Sequence, residues 1–330
     1  MNNKYRGLVV RKTAKKKTSF KVEILDREFL PQNEVLIRVY YSTINYKDLM
    51  SVQGNPAITR RFPHTPGIDA VGVVEKSTSS KYKTGDRVAV LSTTMGMSSP
   101  GGLGQYISVP ENWVVALPDS ISSKTLMGYG TAGMTALLAV SEIVSGGAFQ
   151  EQRALVTGAT GGVGSFAVAL LKSAGFEVSA CSGREDQTDF LFSIGADKVL
   201  ARDELEVEQP QNLLKPRWWA AVDTVGGTIL TNTIKQIGEK GIVTAMGMVN
   251  NTNFETNVLP FILRAVRLIG VNTEMLSVTD RIDLISKPEY SLAPQILDKI
   301  CKTIFLSDLE DCLNDYLKGK ISGRIIIDLT

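Results

Sequence analysis

The sequence predicts an α/β protein, with an N-terminal barrel- or sandwich-type β domain and a doubly wound parallel sheet after it. Three observations predict this. Short apolar runs punctuated by Gly, Pro and Asn fill the first third. From Arg153 onward, strand-like and helix-like segments alternate. A glycine-rich string sits at the first strand-to-helix turn of that alternation. A chain of 330 residues has room for two domains with separate cores.

The elements follow in order. Residues 5–10, 20–25 (FKVEIL) and 34–41 (EVLIRVYY) read as strands, as do 67–75 (GIDAVGVVE), 85–91 (GDRVAVL), 102–110 and 113–117. Residues 124–144 read as one or two helices rich in Ala, Met and Leu. In them GTAG (130–133) supplies small residues for close packing. ALVTG (154–158) is a buried-type strand. Val163–Ala174 is an apolar helix capped by Gly175. FEVSAC (176–181) is the second strand, and a helix over 186–194 stops at Gly195. A short third strand (VLA), 219–226, 241–247 and 267–272 continue the sheet. Residues 279–330 hold helical segments and a last strand, GRIIIDL (323–329), which is expected to return to the first domain. Boundaries are set at 1–123 (catalytic domain), 124–266 (nucleotide-binding domain) and 267–330 (return segment).

Composition excludes several classes. Lys plus Arg is 36 and Asp plus Glu is 34, so no global charge points to nucleic acid or an acidic membrane. The basic run Lys12, Lys15, Lys16 and Lys17 adjoins strand-like sequence and reads as a solvated hairpin turn. No run of about 20 apolar residues occurs, so no membrane span is expected. The N-terminus lacks a signal-peptide core, and a cytoplasmic location is expected. Cys181, Cys301 and Cys312 stand far apart without a CxxC, and His64 is the single histidine. That leaves few soft ligands for a metal and argues against a Ser-His-Asp mechanism.

The strongest motif is ALVTGATGGVGS (154–165), which follows a strand and opens a helix. Gly158, Gly161 and Gly164 are three apart. Absent side chains let the backbone turn sharply and approach a pyrophosphate. The first amides and the dipole of the helix then favour negative charge. The spacing differs from GxGxxG, so contacts are expected mainly from Gly162, Val163 and Gly164, beside Gly161. The second strand ends in Ser182-Gly183-Arg184. An acidic residue there would accept from the ribose 2′-hydroxyl of NAD and repel a 2′-phosphate. A hydroxyl, a glycine and a guanidinium suit the 2′-phosphate instead, which favours NADPH. Arg202, after the third strand, offers a second cation. In the competing reading Glu185 swings in as the acidic partner and Arg184 faces solvent.

NYKD (45–48), PGIDAVGVV (66–74), TGDRV (84–88), GTAG (130–133), VTGATGGVG (156–164) and VDTVG (222–226) resemble the medium-chain dehydrogenase/reductase superfamily along essentially the whole chain. NYKD, VSACSGRE, PFILRAVRLIGVN and SGRIII are similar to its zinc-free quinone oxidoreductase branch, and to the quinone oxidoreductase/acryloyl-CoA reductase subfamily within it. The resemblance implies a GroES-like β-barrel-type catalytic domain, a Rossmann nucleotide-binding domain and a homodimer. Zinc members carry Cys where this chain has Asn45, and His-Glu where it has Ile68-Asp69, and their four-cysteine lobe is missing, so no metal site is expected. Without a Lewis acid, reduction of an activated double bond fits better than alcohol oxidation.

The resemblance also places NYKD beside the nicotinamide. Tyr46 contacts the cofactor and carries a phenol able to donate a proton. Alternatively it only shapes the pocket. Asn45 offers an amide. Asp48 either orients these groups or binds substrate, or is an N-cap or ion-pair residue. Met248 and Ile262 flank the cofactor or belong to the core. Asn272 and Thr273 reach the nicotinamide region, and Arg324 contacts the cofactor from the last strand. The expected reaction is NADPH-dependent reduction of an α,β-unsaturated carbonyl, acryloyl-CoA or a similar short 2-enoyl thioester. The alternatives are a quinone reductase, and an NADPH-binding sensor or structural protein with little activity.

Overall fold

A computed structural model of the protein describes residues 3–13, 17–147, 150–287 and 291–330. Lys15 and Lys16 of the basic turn lie outside the described residues. The chain first forms β1 (Lys4–Lys12), β2 (Thr18–Asp26), β3 (Val35–Thr43), α1 (Tyr46–Val52), β4 (Ala70–Ser77), β5 (Arg87–Val90), β6 (Tyr106–Val109) and β7 (Val114–Ala116). After α2 (Ser123–Ser145) come β8 (Arg153–Thr157), α3 (Gly162–Ser173), β9 (Glu177–Ser182), α4 (Thr188–Ser193) and β10 (Lys198–Ala201). Then follow α5 (Asp203–Glu206), β11 (Trp218–Asp223), α6 (Gly227–Lys235), β12 (Ile237–Ala245), α7 (Leu259–Arg264) and β13 (Arg267–Gly270). The chain closes with α8 (Val278–Ser286), α9 (Pro294–Ile300), β14 (Cys301–Phe305), α10 (Leu309–Leu317) and β15 (Arg324–Asp328).

The chain divides into two units. The first holds the described residues of Met1–Thr131, Glu274–Lys287 and Cys301–Thr330; the second holds those of Ala132–Thr273 and Pro288–Ile300. The first division falls inside α2, eight residues beyond the 123/124 boundary set from sequence (131 against 123). Gly130, with φ +47° and ψ −156°, breaks α2 there into two helices. The expected small-residue stretch is therefore the kink itself.

In the first unit, β1 and β2 form an antiparallel hairpin beside a seven-stranded sheet ordered β14-β15-β3-β4-β5-β7, with β6 on β3. Leu8, Val35, Ile37, Val88, Ile107, Leu313 and Ile327 fill its core. Alternating buried and more exposed residues mark the first half of β3, whereas β5, β6 and β15 are buried almost throughout. β15 pairs antiparallel with β3, setting Ile326 opposite Thr43, so the last strand does return to the first domain's sheet. The sequence reading missed α1, only seven residues long, and β14, whose CKTIF mixes polar and apolar residues at a sheet edge.

The second unit is a parallel six-stranded sheet ordered β10-β9-β8-β11-β12-β13. Its inner strands β8, β9 and β11 are buried almost throughout, as a sheet covered on both faces requires, while the edge strands β10 and β13 are partly exposed. Connections run one way from β8 to β10 and the other way from β11 to β13. The order therefore reverses between β8 and β11, where doubly wound sheets bind ligands at the carboxyl ends of the strands. Among the described residues, no helix is long and apolar enough to cross a membrane.

Candidate active site: a glycine-loop cradle and a buried polar network

The cradle is built at the carboxyl edge of the parallel sheet. α3 starts at Gly162 with Gly161 as its N-cap, and neither acid nor base occupies its first turn. Gly158 has φ +60°, which permits the turn out of β8. A Cβ on Gly164 would collide with the Gly158 carbonyl, so the helix can start this close to the loop only without a side chain there. Gly161, Gly162, Val163 and Gly164 thus present a backbone surface at a helix N-terminus, as anchoring a pyrophosphate requires.

A network beneath the loop holds its shape. Thr157 Oγ1 donates to Asp223 Oδ1 (2.7 Å), and Asp223 Oδ2 accepts from the Gly226 amide (2.8 Å). Thr224 Oγ1 donates to the Thr157 carbonyl (2.8 Å), and its amide donates to Thr157 Oγ1 (3.1 Å). Burial pushes the Asp223 carboxyl above its ordinary range. These bonds tie β8 to β11 at the point where the sheet order reverses. The sequence reading quoted VDTVG only as family likeness and assigned no role to Asp223 or Thr157. A polar residue ending each of two apolar strands was the available signal.

Ser182, Gly183 and Arg184 lie at the end of β9, beside this loop. The Arg184 amide donates to Ser182 Oγ (3.1 Å). Arg184 is half-buried, and its Nη2 and Nε donate to Thr160 Oγ1 (2.7 and 3.2 Å). β10 sets Ala201 opposite Ser182, so Arg202 follows directly, and its side chain lies over Gly183. Arg202 pairs with Glu206 (2.8 Å), while its Nε is buried without a partner. Glu185 is exposed in the turn that follows. Two guanidinium groups, a hydroxyl and a glycine amide thus converge at the β9 tip, with no carboxylate in the Ser182–Arg184 segment.

Met248 follows the end of β12 and is half exposed, while Asn272 and Thr273 follow β13 at the same edge of the sheet. Ile262 is exposed on α7, whose Arg264 donates to the carbonyls of Leu214, Lys235 and Ile237.

The first unit contains the second cluster. Asp69 is fully buried (0% exposed) at the start of β4. Its Oδ2 accepts from Asn45 Nδ2 (2.9 Å), the Thr131 amide (2.8 Å) and Arg324 Nη2 (3.2 Å). Its Oδ1 accepts from Thr131 Oγ1 (2.6 Å) and the Ser92 amide (3.2 Å). Arg324, 1% exposed, also donates through Nη1 to Asn45 Oδ1 (2.7 Å) and the Ile44 carbonyl (3.1 Å). A Cβ on Gly130 would strike both Arg324 and Asp69, so the α2 kink makes the space for this ion pair. Arg281, likewise buried, donates to the Leu91 carbonyl next to Ser92 (2.5 Å). A buried charge left unpaired would be strongly destabilising, and the pair avoids that.

Asn45 is therefore the N-cap residue of α1, with its side chain committed to Asp69 and Arg324. Asp48, three residues on, is fully buried. Its Oδ2 accepts from the Asn45 amide (2.8 Å), and its Oδ1 accepts from the amides of Gly67 (2.9 Å) and Ile68 (3.1 Å). Burial, opposed by the Asn45 bond and supported by nearby Asp69, pushes its carboxyl up to about 7. Asp48 sits where a capping residue would. Tyr46, between them, is 48% exposed, and Lys47 pairs with Glu274. The structure thus brings Asn45, Asp48 and Arg324 together and turns Tyr46 outward. Sequence reasoning missed Asp69 as the centre of this network, and missed Thr131 and Arg281 altogether. Among the described residues, no group of three or more His, Cys, Asp or Glu could hold a metal ion.

Comparison with known proteins identifies the family. Residues 31–119 match the alcohol dehydrogenase GroES-like domain, and residues 162–287 match the zinc-binding dehydrogenase model. The chain is 36% identical over 327 residues to acrylyl-CoA reductase AcuI of Ruegeria pomeroyi, covering 98% of this chain and 99% of that one. The chain belongs to the medium-chain dehydrogenase/reductase superfamily. It is an oxidoreductase of that superfamily, and it stands with the quinone oxidoreductase/acrylyl-CoA reductase branch. A candidate quinone oxidoreductase, YhfP of Bacillus subtilis, is 37% identical over 94% of this chain and 95% of its own. The YhfP structure with NAD bound superposes with a TM-score of 0.91 at 36% identity, covering 99% of each chain. The YhdH oxidoreductase of Salmonella enterica in complex with NADP superposes with a TM-score of 0.92 at 35% identity, over 98% of this chain and all of that one.

Proposed function

We propose that this medium-chain oxidoreductase is an NADPH-dependent reductase of activated C=C bonds. Its substrate is acrylyl-CoA or a similar short 2-enoyl thioester, and it needs no zinc. The observation that carries the substrate class is the 36% identity to an acrylyl-CoA reductase over 98% of the chain. The Ser182–Arg184 segment, which carries no carboxylate, supports the phosphate-bearing cofactor through Arg184, with Arg202 beside it in an ion pair with Glu206. YhdH, a relative with a TM-score of 0.92, is seen with NADP. YhfP is seen with NAD, so the choice of cofactor has to rest on this chain's own residues.

NADPH, when bound, supplies the hydride that adds to the β-carbon. The chain's residues do the rest. The amides of Gly162, Val163 and Gly164 take the pyrophosphate, and Ser182, Gly183, Arg184 and Arg202 take the 2′-phosphate. Met248, Ile262, Asn272 and Thr273 are assigned to cofactor contacts. Tyr46 is the exposed hydroxyl of NYKD; it donates to the carbonyl oxygen where enolate charge builds. Asn45 and Asp48 fix the start of α1 and so aim Tyr46. Arg324 in this reading acts through Asn45, because its guanidinium is buried against Asn45 and Asp69. That guanidinium also supplies the positive charge beside Asp69, which supports a metal-free centre. A homodimer in the cytoplasm completes the reading.

Anaerobic NADPH consumption with acrylyl-CoA, crotonyl-CoA, simple enones and a naphthoquinone tests it. Acrylyl-CoA should give the highest kcat/KM, unchanged by a chelator. A second reading, reduction of quinones, is favoured by the 37% identity to YhfP; turnover of the naphthoquinone alone would establish it. Tight NADPH binding without turnover on any acceptor would mark a sensor. Tyr46→Phe should lower kcat by about tenfold or more with KM for NADPH little changed. Full turnover in that variant would leave Tyr46 as a pocket wall.

A further inference from the structure

The cradle contains one side chain that neither the glycine motif nor the β9 tip accounts for. Thr160 stands inside the loop, between Gly158 and Gly161, and is 4% exposed. Its Oγ1 accepts from both Nη2 and Nε of Arg184 (2.7 and 3.2 Å) and lies 3.3 Å from Ser182 Oγ. Ser182 Oγ in turn accepts from the Arg184 backbone amide (3.1 Å). One hydroxyl therefore touches two of the three side chains assigned to the 2′-phosphate, Ser182 and Arg184.

We propose that Thr160 is a specificity-determining residue for the phosphorylated cofactor, acting by holding the Arg184 guanidinium in place. The inference rests on the NADPH reading above and goes beyond it. Arg has many rotamers, and fixing a solvated one on ligand binding costs side-chain entropy. A guanidinium already held through two N–H groups has lost much of that freedom before the ligand arrives, which is preorganisation. A bond to a charged donor is also stronger than a neutral one. Thr160 sits on the pyrophosphate loop and Arg184 on the neighbouring strand end. Their bond therefore fixes the distance between the two phosphate-binding places of one dinucleotide. NADH has no 2′-phosphate and gains nothing from that fixture.

Thr160→Val keeps the shape and removes the hydroxyl. Binding of NADPH and NADH to the full chain, followed by nicotinamide fluorescence, measures the effect. Thr160→Val should weaken NADPH by about tenfold and NADH far less, and Thr160→Ser should restore the wild-type ratio. In an Arg184→Ala background, Thr160→Val should change NADPH binding no further, because its target is gone. The fragments 2′,5′-ADP and 5′-ADP should separate in the same way, independently of the reaction. Equal weakening of NADPH and NADH, or an unchanged ratio in Thr160→Val while Arg184→Ala loses its preference for NADPH, would overturn the role of Thr160 and leave the cofactor reading standing. A wild-type chain that binds NADH as tightly as NADPH would overturn both.

Discussion

The nucleotide cradle and the buried network around Asp69 solve one problem, placing charge where water is scarce, in opposite ways. The cradle uses backbone. Gly158, Gly161, Gly162 and Gly164 take four of seven consecutive positions, and what they contribute is absent side chains and exposed amides. The network uses side chains. Asp69 collects Asn45, Ser92, Thr131 and Arg324, which come from separate segments of the first unit. A backbone site depends on steric space, so a single methyl can break it. A side-chain network depends on charge balance, so removing one charge should cost more than removing two.

The charge argument predicts the largest effect. Arg324→Met leaves Asp69 buried and uncompensated, and should lower unfolding free energy by about 3–5 kcal/mol. The double variant Arg324→Met, Asp69→Leu removes both charges and should recover a large part of that loss in a denaturant titration. If the double variant is as unstable as the sum of the two single ones, Asp69 and Arg324 do not act as a pair. The steric argument predicts the next effect. Gly164→Ala drives a methyl against the Gly158 carbonyl, at a cost of about 1–3 kcal/mol in overpacking. Dinucleotide binding should fall, for NADPH and NADH alike, with little change in the first unit. Unchanged binding would mean that the loop yields easily and is not a fitted backbone surface.

The same contrast explains what could be read from the sequence. The glycine loop is contiguous, and its partner tip follows about 20 residues later at the next strand, a spacing that parallel-sheet geometry dictates. Strand alternation from Arg153 onward and the return of the last strand were legible for the same reason, since each is local in pattern. The Asp69 network was not. Its bonds join residues separated by 24, 62, 255 and 279 positions, and no local pattern connects them. Asp69 stood out in the sequence only as the residue that replaces a zinc-branch glutamate, and Arg324 only as family likeness. Asp48 carried several readings: orienting its neighbours, binding substrate, or serving as an N-cap or ion-pair residue. Its bonds to three backbone amides, one of them that of Asn45, are those of a capping and positioning group. β14 escaped because a five-residue edge strand with Lys302 and Thr303 has little amphipathic signal.

Arg184→Ala probes the one place where the cradle depends on side-chain charge. It should raise KM for NADPH by about ten- to a hundredfold, and KM for NADH much less. Equal effects on the two cofactors would return the β9 tip to ordinary surface, with Glu185 as the residue to examine next.

A last test reads the network through its pH dependence. The Asp48 carboxyl stands at about 7 in the fold against an ordinary 3.8, chiefly because burial disfavours the charged form. Between those values the folded chain holds a proton that the unfolded chain has released. Stability must therefore fall as pH rises from about 4 to about 7, by at most about 1.4 kcal/mol per pH unit for one proton. Asp48→Asn cannot titrate, so its stability curve should be flatter over that window. The variant will also be less stable at every pH, since one amide oxygen replaces two carboxylate oxygens that accept three N–H groups. The informative quantity is thus the slope and not the level. Curves for wild type and Asp48→Asn that run parallel from pH 4 to pH 7 would mean that Asp48 is ionised in the fold. In that case its three amide bonds outweigh burial, and the network carries one more negative charge for Arg324 and Arg281 to balance.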